Sequence, residues 1–202
     1  MDAQEEGPLS STNRGSSYKD KTITDYYVTP VCEIIKFLKP LVELEPDILS
    51  GAILDPSAGG DPRHPMSYPE ALKKMGVPVE NILTMDVRED SPADVKGDYL
   101  KMKFPDKFNL AITNPPFVHA QKFIDKALKD VSENGFVIML LRLNFFGSRR
   151  RKVLWDNHMP KYVFVHHERM SFTDDGRTDS VEYMHAVWQV GNKTKYSKLF
   201  VI

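Results

Sequence analysis

The residues best suited to chemistry lie in one stretch, Phe108 to Phe117, which reads Phe-Asn-Leu-Ala-Ile-Thr-Asn-Pro-Pro-Phe. Its apolar centre, residues 110–112, fits a short buried strand that delivers Asn114 to the strand end. The two prolines that follow have no backbone N–H and hold φ at about −65°, so carbonyl oxygens here stay unpaired and point outward. An amide, exposed carbonyls and the ring of Phe117 can together hold a flat molecule that carries an amino group.

Two acids occupy equivalent places on two earlier strands. Residues 52–55 form a buried run that ends in Asp55 and leads into the small-residue turn 56–61, and residues 81–86 end in Asp86. A strand, a small-residue turn and an acid one strand later form the general nucleotide-binding arrangement. The chain lacks both the full Gly-x-Gly-x-x-Gly spacing and a Gly-Lys-Ser/Thr phosphate loop. The pattern therefore favours a nucleoside cofactor without phosphates, although a strand-terminating turn equally explains Asp86 alone.

Strands that alternate with helices predict an α/β fold, a doubly wound, Rossmann-like, mainly parallel sheet of seven strands. Ligands then bind at the carboxyl ends of the strands, where both acids and Asn114 fall. The predicted strands cover residues 52–55, 81–86, 97–100, about 108–113, 135–143, 162–166 and 183–190, and the predicted helices cover 31–44, 66–75, 120–131 and 148–157. We expect Thr29 to cap the first helix and Pro30 to occupy its first position.

Length and composition predict a single domain, with a flexible tail over residues 1–20 and the catalytic domain over 21–202. Hydrophobic residues make up 41% of the chain, and no apolar run approaches the roughly 18 residues of a membrane helix. The single cysteine, Cys32, excludes an internal disulfide and a cysteine-based zinc cluster. We expect a cytoplasmic protein without membrane contact or bound metal. With 27 basic and 28 acidic residues, any nucleic-acid partner must meet a local basic patch.

The motifs together resemble a known family. Asp-Pro-Ser-Ala-Gly-Gly at 55–60, followed by Asn-Pro-Pro-Phe at 114–117, is similar to the S-adenosylmethionine-dependent DNA adenine-N6 methyltransferases, especially small phage and prophage members. Residues 27–30, 97–100 and 168–183 resemble further segments of that family, in family order over residues 24–190. The resemblance implies a methyltransferase sheet, S-adenosylmethionine as cofactor, DNA as substrate and, for a phage-encoded member, the host cytoplasm.

The resemblance also implies roles for individual residues. Asp55 and Gly59 would contact the methionine part of the cofactor, Asp86 its ribose and Asp98 its adenine amino group. The whole implied cofactor set is Tyr27, Thr29, Pro30, Asp55, Pro56, Ser57, Gly59, Asp86, Asp98 and Asn114. The implied catalytic set is Asn114, Pro115, Pro116 and Phe117. In it, the Asn114 side chain and the Pro115 carbonyl accept hydrogen bonds from the target amine, and Phe117 stacks on its ring.

This chemistry needs no covalent nucleophile, because positioning supplies most of the rate. Methylation at carbon 5 of cytosine would need a thiolate, and Cys32 lies within the first predicted helix, where we expect a small core residue. For backbone phosphates, the best basic run is Arg149, Arg150, Arg151 and Lys152, and a solvated helix face is the competing interpretation. We assign no metal to His166 and His167, which have no ligand spacing with other residues.

Two departures from the family pattern stand out. Residues 61–65 contain two prolines that delay the helix after the glycine turn, and neither the segment between Asp55 and Asn114 nor the end of the chain has room for a target-recognition domain. Such an enzyme reads a short context through loops, is nearly non-specific, or takes specificity from a partner protein. Two alternatives stay open: an amino-methyltransferase that acts on RNA or protein glutamine, and a non-catalytic methyltransferase-like binding subunit.

Overall fold

The computed structural model describes residues 27–172 and 178–202. The predicted tail at residues 1–20 and the start of the family resemblance at residues 24–26 lie outside the described residues. One mixed sheet runs in the order β3-β2-β1-β4-β5-β7-β6-β8. Its strands are β1 (Ile53–Asp55), β2 (Ile82–Asp86), β3 (Val95–Lys96), β4 (Phe108–Thr113), β5 (Val131–Arg142), β6 (Tyr162–Val165), β7 (Tyr183–Gln189) and β8 (Lys198–Val201). The helices are α1 (Val31–Leu44), α2 (Ser67–Lys74), α3 (Ala120–Asp130) and α4 (Lys152–Asn157).

The sheet alternates its side chains between two apolar layers, as the period of a strand requires. In β4, Leu110 and Ile112 pack with α1 and α2, whereas Ala111 packs on the opposite face with α3 and α4. The core of β1 to β5 is parallel, and β7 runs antiparallel between β5 and β6. Because β1, β2 and β4 are parallel neighbours, Asp55, Asp86 and Asn114 lie at one edge of the sheet, as predicted.

The sheet has eight strands instead of the predicted seven, and β8 is the strand that the prediction lacks. β8 pairs in parallel with β6, and Phe200 stacks on Phe164 with ring centroids 4.8 Å apart. The prediction missed β8 because one half-buried ring among exposed neighbours produces little hydrophobic alternation.

Four local predictions were wrong. Residues 97–100 do not form a strand: β3 comes just before them, and a 3₁₀ helix over Tyr99–Lys101 follows Asp98. The basic run is not one helix, because Arg149–Arg151 form a 3₁₀ turn and α4 begins at Lys152. Pro30 is the N-cap of α1, and no side chain caps the helix, so Thr29 does not have that role. Cys32 is exposed rather than part of the core.

Within the described ranges, none of the helices is long and apolar enough to cross a membrane.

Candidate active site

A cavity of about 630 Å³ opens at the carboxyl ends of β1, β2 and β4. This volume lies in the range usual for small-molecule sites. Its wall is formed by the glycine turn (residues 56–61, after β1), the ends of β2, β4 and β5, and the segments before α1 and after β4. The lining includes Tyr27, Thr29, Pro56, Ser57, Gly59, Gly60, Tyr68, Asp86, Arg88, Asp98, Asn114, Pro115, Pro116, Phe117, His119, Arg142, Asn144 and Arg151.

The side chain of Asn114 is oriented by the segment that precedes α1. Its Nδ2 donates to Oγ1 of the buried Thr29 at 3.1 Å. This bond uses the donor side of the amide, and the Oδ1 atom is buried with no hydrogen-bond partner among the described residues. A buried acceptor left in this state is costly unless a ligand donor meets it. The amide oxygen at the tip of β4 is therefore suited to accept a hydrogen bond from a bound amine.

Two hydroxyl groups join this tip to the glycine turn. The Ser57 hydroxyl lies 2.8 Å from that of Thr113 and donates to the Asn114 carbonyl oxygen at 3.1 Å. The Pro116 carbonyl accepts from the His119 N–H at 2.8 Å, so the prediction that the carbonyls of this tip stay unpaired is wrong for both residues. Thr113 also hydrogen-bonds to the Asp55 carboxylate, which accepts from the Ser57 N–H at 3.3 Å. These hydrogen bonds thus fix the turn after β1 and the tip of β4 relative to each other.

Asp55 carries an unfavourably placed charge. Its side chain is fully buried, and burial raises its pKa to about 7, with a smaller contribution from Asp86, against the lowering effect of the bonds from Thr113 and Ser57. Its Oδ2 has no hydrogen-bond partner in the part of the chain that the structure describes. A positive group nearby would favour the ionised form and lower this pKa.

Asp86 holds the glycine turn by direct hydrogen bonds. Its Oδ2 accepts from the Gly59 N–H at 2.8 Å, and its Oδ1 accepts from the Arg88 N–H at 2.8 Å. The Arg88 guanidinium in turn donates to the Gly60 carbonyl at 2.8 Å. Gly60 has φ of 80°, and a Cβ there would come within 2.8 Å of Met66, so the turn requires glycine at this position. Each carboxylate oxygen of Asp86 retains a lone pair for a ligand hydroxyl.

Phe117 belongs to an aromatic cluster at the other side of the cavity. Its ring centroid lies 6.1 Å from that of Tyr27 and 5.8 Å from that of Tyr183, and Phe172 packs edge-on against both tyrosines. The guanidinium of Arg142 lies 4.9 Å from the Phe117 centroid. A flat ring entering the cavity would therefore meet aromatic faces and a cation beside Asn114.

The structure brings most of the predicted cofactor and catalytic residues together. The cavity wall includes every member of both sets except Asp55, which lies beneath the turn, and Pro30. Asp98 reaches the wall, but its side chain also accepts from the Leu100 N–H at 3.0 Å and pairs with Lys101 at 3.2 Å. Placement at the wall leaves the individual roles as predictions.

The predicted DNA-binding run divides into three environments. Arg149 and Arg150 are exposed. Lys152 pairs with Asp156 one helical turn away. Arg151 turns inward, where it lies 3.9 Å from the Phe145 ring, donates to the Phe145 carbonyl at 2.8 Å and lines the cavity. Of these four residues, only Arg149 and Arg150 present surface positive charge that is available to bind phosphates.

Sequence reasoning missed two charged residues of the cavity wall. Arg88 and Arg142 lie outside the motifs, and no periodicity marks them. His119 was not missed: its position two residues after Phe117 indicates either a substrate contact or a surface histidine at the helix start. It lines the cavity, and its Nδ1 is buried without a hydrogen-bond partner among the described residues. Its position next to the Asn-Pro-Pro-Phe motif is the signal by which it can be found.

A buried hydrogen-bonded chain passes from the cavity wall beneath α1. The Tyr68 hydroxyl lies 2.9 Å from His185 Nε2, His185 Nδ1 lies 2.8 Å from His166 Nε2, and His166 Nδ1 lies 3.1 Å from Glu33. Phe37 stacks on His185 with centroids 4.0 Å apart. Among the described residues, no group of three or more His, Cys, Asp or Glu side chains could hold a metal ion.

No family model matches the sequence, and no curated protein is similar to it. Solved structures do match. A candidate RNA methyltransferase from Pyrococcus horikoshii has a TM-score of 0.62 and 13% identity, over 88% of this chain and 94% of that one. A candidate class I S-adenosylmethionine-dependent methyltransferase from Listeria monocytogenes has a TM-score of 0.56 and 12% identity over 87% of this chain. This chain spans 65% of the Listeria protein, slightly less than two thirds of its length.

A candidate haemolysin from Lactococcus lactis is similar to the same degree, with a TM-score of 0.56 and 12% identity over 87% of this chain and 94% of that one. Such identities establish a shared fold and leave the function to the site. The chain has the class I methyltransferase fold, a single α/β sheet with a mostly parallel core.

Proposed function

We propose that this protein transfers a methyl group from S-adenosylmethionine to the exocyclic N6 amine of adenine in DNA. The observation that carries the proposal is the amide oxygen of Asn114, buried at the cavity wall with no hydrogen-bond partner among the described residues. It lies in an Asn-Pro-Pro-Phe tip at the end of β4, where this fold presents its ligands.

The Asn-Pro-Pro-Phe tip is suited to activating a weak nucleophile, which this reaction requires. The lone pair of an aromatic amine is delocalised into the ring, so the amine is a poor nucleophile. An acceptor at Asn114 Oδ1, with the Pro115 carbonyl as the predicted second acceptor, favours a pyramidal nitrogen whose lone pair faces the methyl donor. Thr29 and Ser57 hold the tip from two sides, and such fixed orientation is the main source of rate when no covalent nucleophile acts.

The cavity also fits a nucleoside cofactor with a cationic amino-acid end. S-adenosylmethionine supplies a methyl group already activated on a sulfonium sulfur. The turn at Gly59 and Gly60 lets a ligand approach the backbone closely, and Asp86 has acceptor capacity for ribose hydroxyls. Asp55, beneath the turn, adds an unpaired carboxylate oxygen that a nearby ammonium group would stabilise.

The aromatic cluster around Phe117 supports a nucleobase rather than a glutamine amide. A base offers a π face to Phe117, Tyr27 and Arg142, whereas a glutamine side chain has no ring to stack. In duplex DNA the adenine must first leave the helix, at a cost of a few kcal/mol. Exposed Arg149 and Arg150 would offset part of this cost through phosphate contacts.

RNA is the competing substrate, since the Pyrococcus protein of the same fold is named for RNA methylation. We further propose that a partner protein supplies sequence specificity and that the enzyme acts in the cytoplasm. A non-catalytic binding subunit is the third interpretation, and it predicts cofactor or nucleic-acid binding without methyl transfer.

Incubation with methyl-labelled S-adenosylmethionine and DNA, RNA or protein, followed by nucleoside and amino-acid analysis, tests the proposal. We expect label in N6-methyladenine from DNA. Asn114→Ala should abolish transfer while cofactor binding stays within several-fold. Asn109→Ala is the matched control, because Asn109 lies on the same strand at the opposite edge of the sheet and accepts from the Ala52 N–H at 2.9 Å. Label only in RNA or glutamine, or full activity of Asn114→Ala, would refute the assignment.

A further inference from the structure

We propose that Arg142 is a specificity-determining residue that donates a hydrogen bond to a ring nitrogen flanking the target amine of adenine. The inference rests on the proposed function and deepens it. It concerns a residue outside every sequence motif, at the last position of β5.

The sheet brings Arg142 to the reacting edge. β5 pairs in parallel with β4, with Met139 opposite Thr113, so three further residues carry β5 past the tip of β4. Arg142 lines the same cavity as Asn114 and Phe117. A base held at its amine by Asn114 and stacked on Phe117 would therefore lie next to a guanidinium group.

The distance to Phe117 is consistent with an edge contact. A stacked base lies about 3.5 Å above the ring, the usual contact distance of carbon atoms. The guanidinium carbon is 4.9 Å from the ring centroid. Because 4.9 Å exceeds this contact distance, the guanidinium is not packed against the centre of the Phe117 ring, where a base would stack.

The guanidinium has a carboxylate beside it that is itself anchored. Asp179 lies 3.9 Å from an Arg142 nitrogen, and the Tyr183 hydroxyl donates to the same Asp179 oxygen at 2.5 Å. This ion pair favours positions of the Arg142 side chain on the Phe117 side of the cavity, which lowers the entropy lost when the guanidinium binds a substrate.

The chemistry of the two groups is complementary to adenine. Arginine carries only donors and Asn114 Oδ1 is an acceptor. Adenine presents its amine donors at N6, and the ring nitrogens N1 and N7 on either side are acceptors. A site built to donate to such a nitrogen rejects an analogue that has a C–H group in its place, because a desolvated donor is left without a partner.

Atom deletion in both partners tests this contact. Methyl transfer is measured as kcat/KM on oligonucleotides that contain one adenine, 1-deazaadenine or 7-deazaadenine, with wild type and Arg142→Met. We expect wild type to lose about tenfold to hundredfold on one of the two analogues. Arg142→Met should lose a similar factor on adenine and show no additional loss on that analogue. Any intrinsic change in amine reactivity is common to both proteins and cancels in the comparison.

Arg169→Met is the matched control. It removes an arginine that pairs with Glu182 at 3.5 Å and lies outside the cavity lining, and it should retain the full analogue penalty. Arg142→Lys keeps the charge and serves if the methionine variant does not fold; it should show a reduced penalty.

The outcomes are distinguishable. Wild-type activity that is equal on adenine and both analogues overturns the inference without any variant, as does an equal penalty in wild type and Arg142→Met. Both results leave adenine methylation intact. If wild type transfers no methyl group to adenine in any oligonucleotide, the proposed function itself fails and the inference falls with it.

Discussion

As the pH rises, the Asp55→Asn variant should gain stability relative to the wild-type protein. Burial raises the pKa of Asp55 to about 7 in the folded state, against an ordinary value of 3.8. A group with a raised pKa favours folding below its unfolded value, and this contribution is lost as the pH rises from about 4 through 7. The wild-type protein therefore carries a growing cost over that interval, which asparagine does not share.

The size of the effect follows from linkage. At about 1.4 kcal/mol per pKa unit, the cost of ionising Asp55 is roughly 1.7 kcal/mol at pH 5 and roughly 4 kcal/mol at pH 8. Asparagine adds a cost of about 1 to 3 kcal/mol for its unpaired amide donor, which is the same at both pH values and cancels. The stability difference between variant and wild type should thus move by about 2.5 kcal/mol in favour of the variant between pH 5 and pH 8.

Urea unfolding of both proteins at the two pH values measures this difference directly. The same substitution should weaken S-adenosylmethionine binding in calorimetry, because it removes the negative charge that would stabilise an ammonium group. A stability difference that is the same at pH 5 and pH 8 would show that Asp55 does not titrate with a raised pKa. Unchanged cofactor affinity would remove its predicted contact with the cofactor.

Three further predictions concern other parts of the molecule. Asp86→Ala should weaken cofactor binding, since its carboxylate holds the Gly59 N–H, and unchanged affinity by calorimetry would contradict the ribose role. Joint replacement of Arg149 and Arg150 by alanine should lower the slope of log Kobs against log salt for DNA by up to about 1.8, and an unchanged slope would remove them from the interface. Burial lowers the pKa of both His166 and His185, so stability present above about pH 6.5 should fall as the pH drops below that value. Acid titration of the unfolding midpoint checks this, and a His185→Gln variant that loses as much stability as wild type would contradict it.

The motif residues were predictable because their signals are local. A short apolar run that ends in an acid or an amide identifies a strand and its end. The topology rule for parallel sheets then places these strand ends together, where ligands bind. That reasoning placed Asp86, Asn114 and Phe117 at one cavity. The helix bounds of α1 and the delayed start of α2 followed from proline and hydrophobic periodicity in the same way.

Other features depended on residues that are distant in the chain. The basic run reads as one charged surface, yet packing on Phe145 turns Arg151 inward. The sequence around His166 and His167 did not indicate the buried hydrogen-bonded chain, because His185, the partner of His166, comes from a strand that no motif marks.

The sequence by itself therefore determined the strand ends and the chemistry of the Asn-Pro-Pro-Phe tip, since both depend on neighbouring residues and on the period of a strand. Only the tertiary structure decided which groups surround that tip. Thr29 orients the amide of Asn114 across 85 residues, and Arg142 and Asp179 meet beside Phe117 from different strands and loops. Such contacts are set by sheet order and side-chain packing, which leave no regular spacing in the sequence.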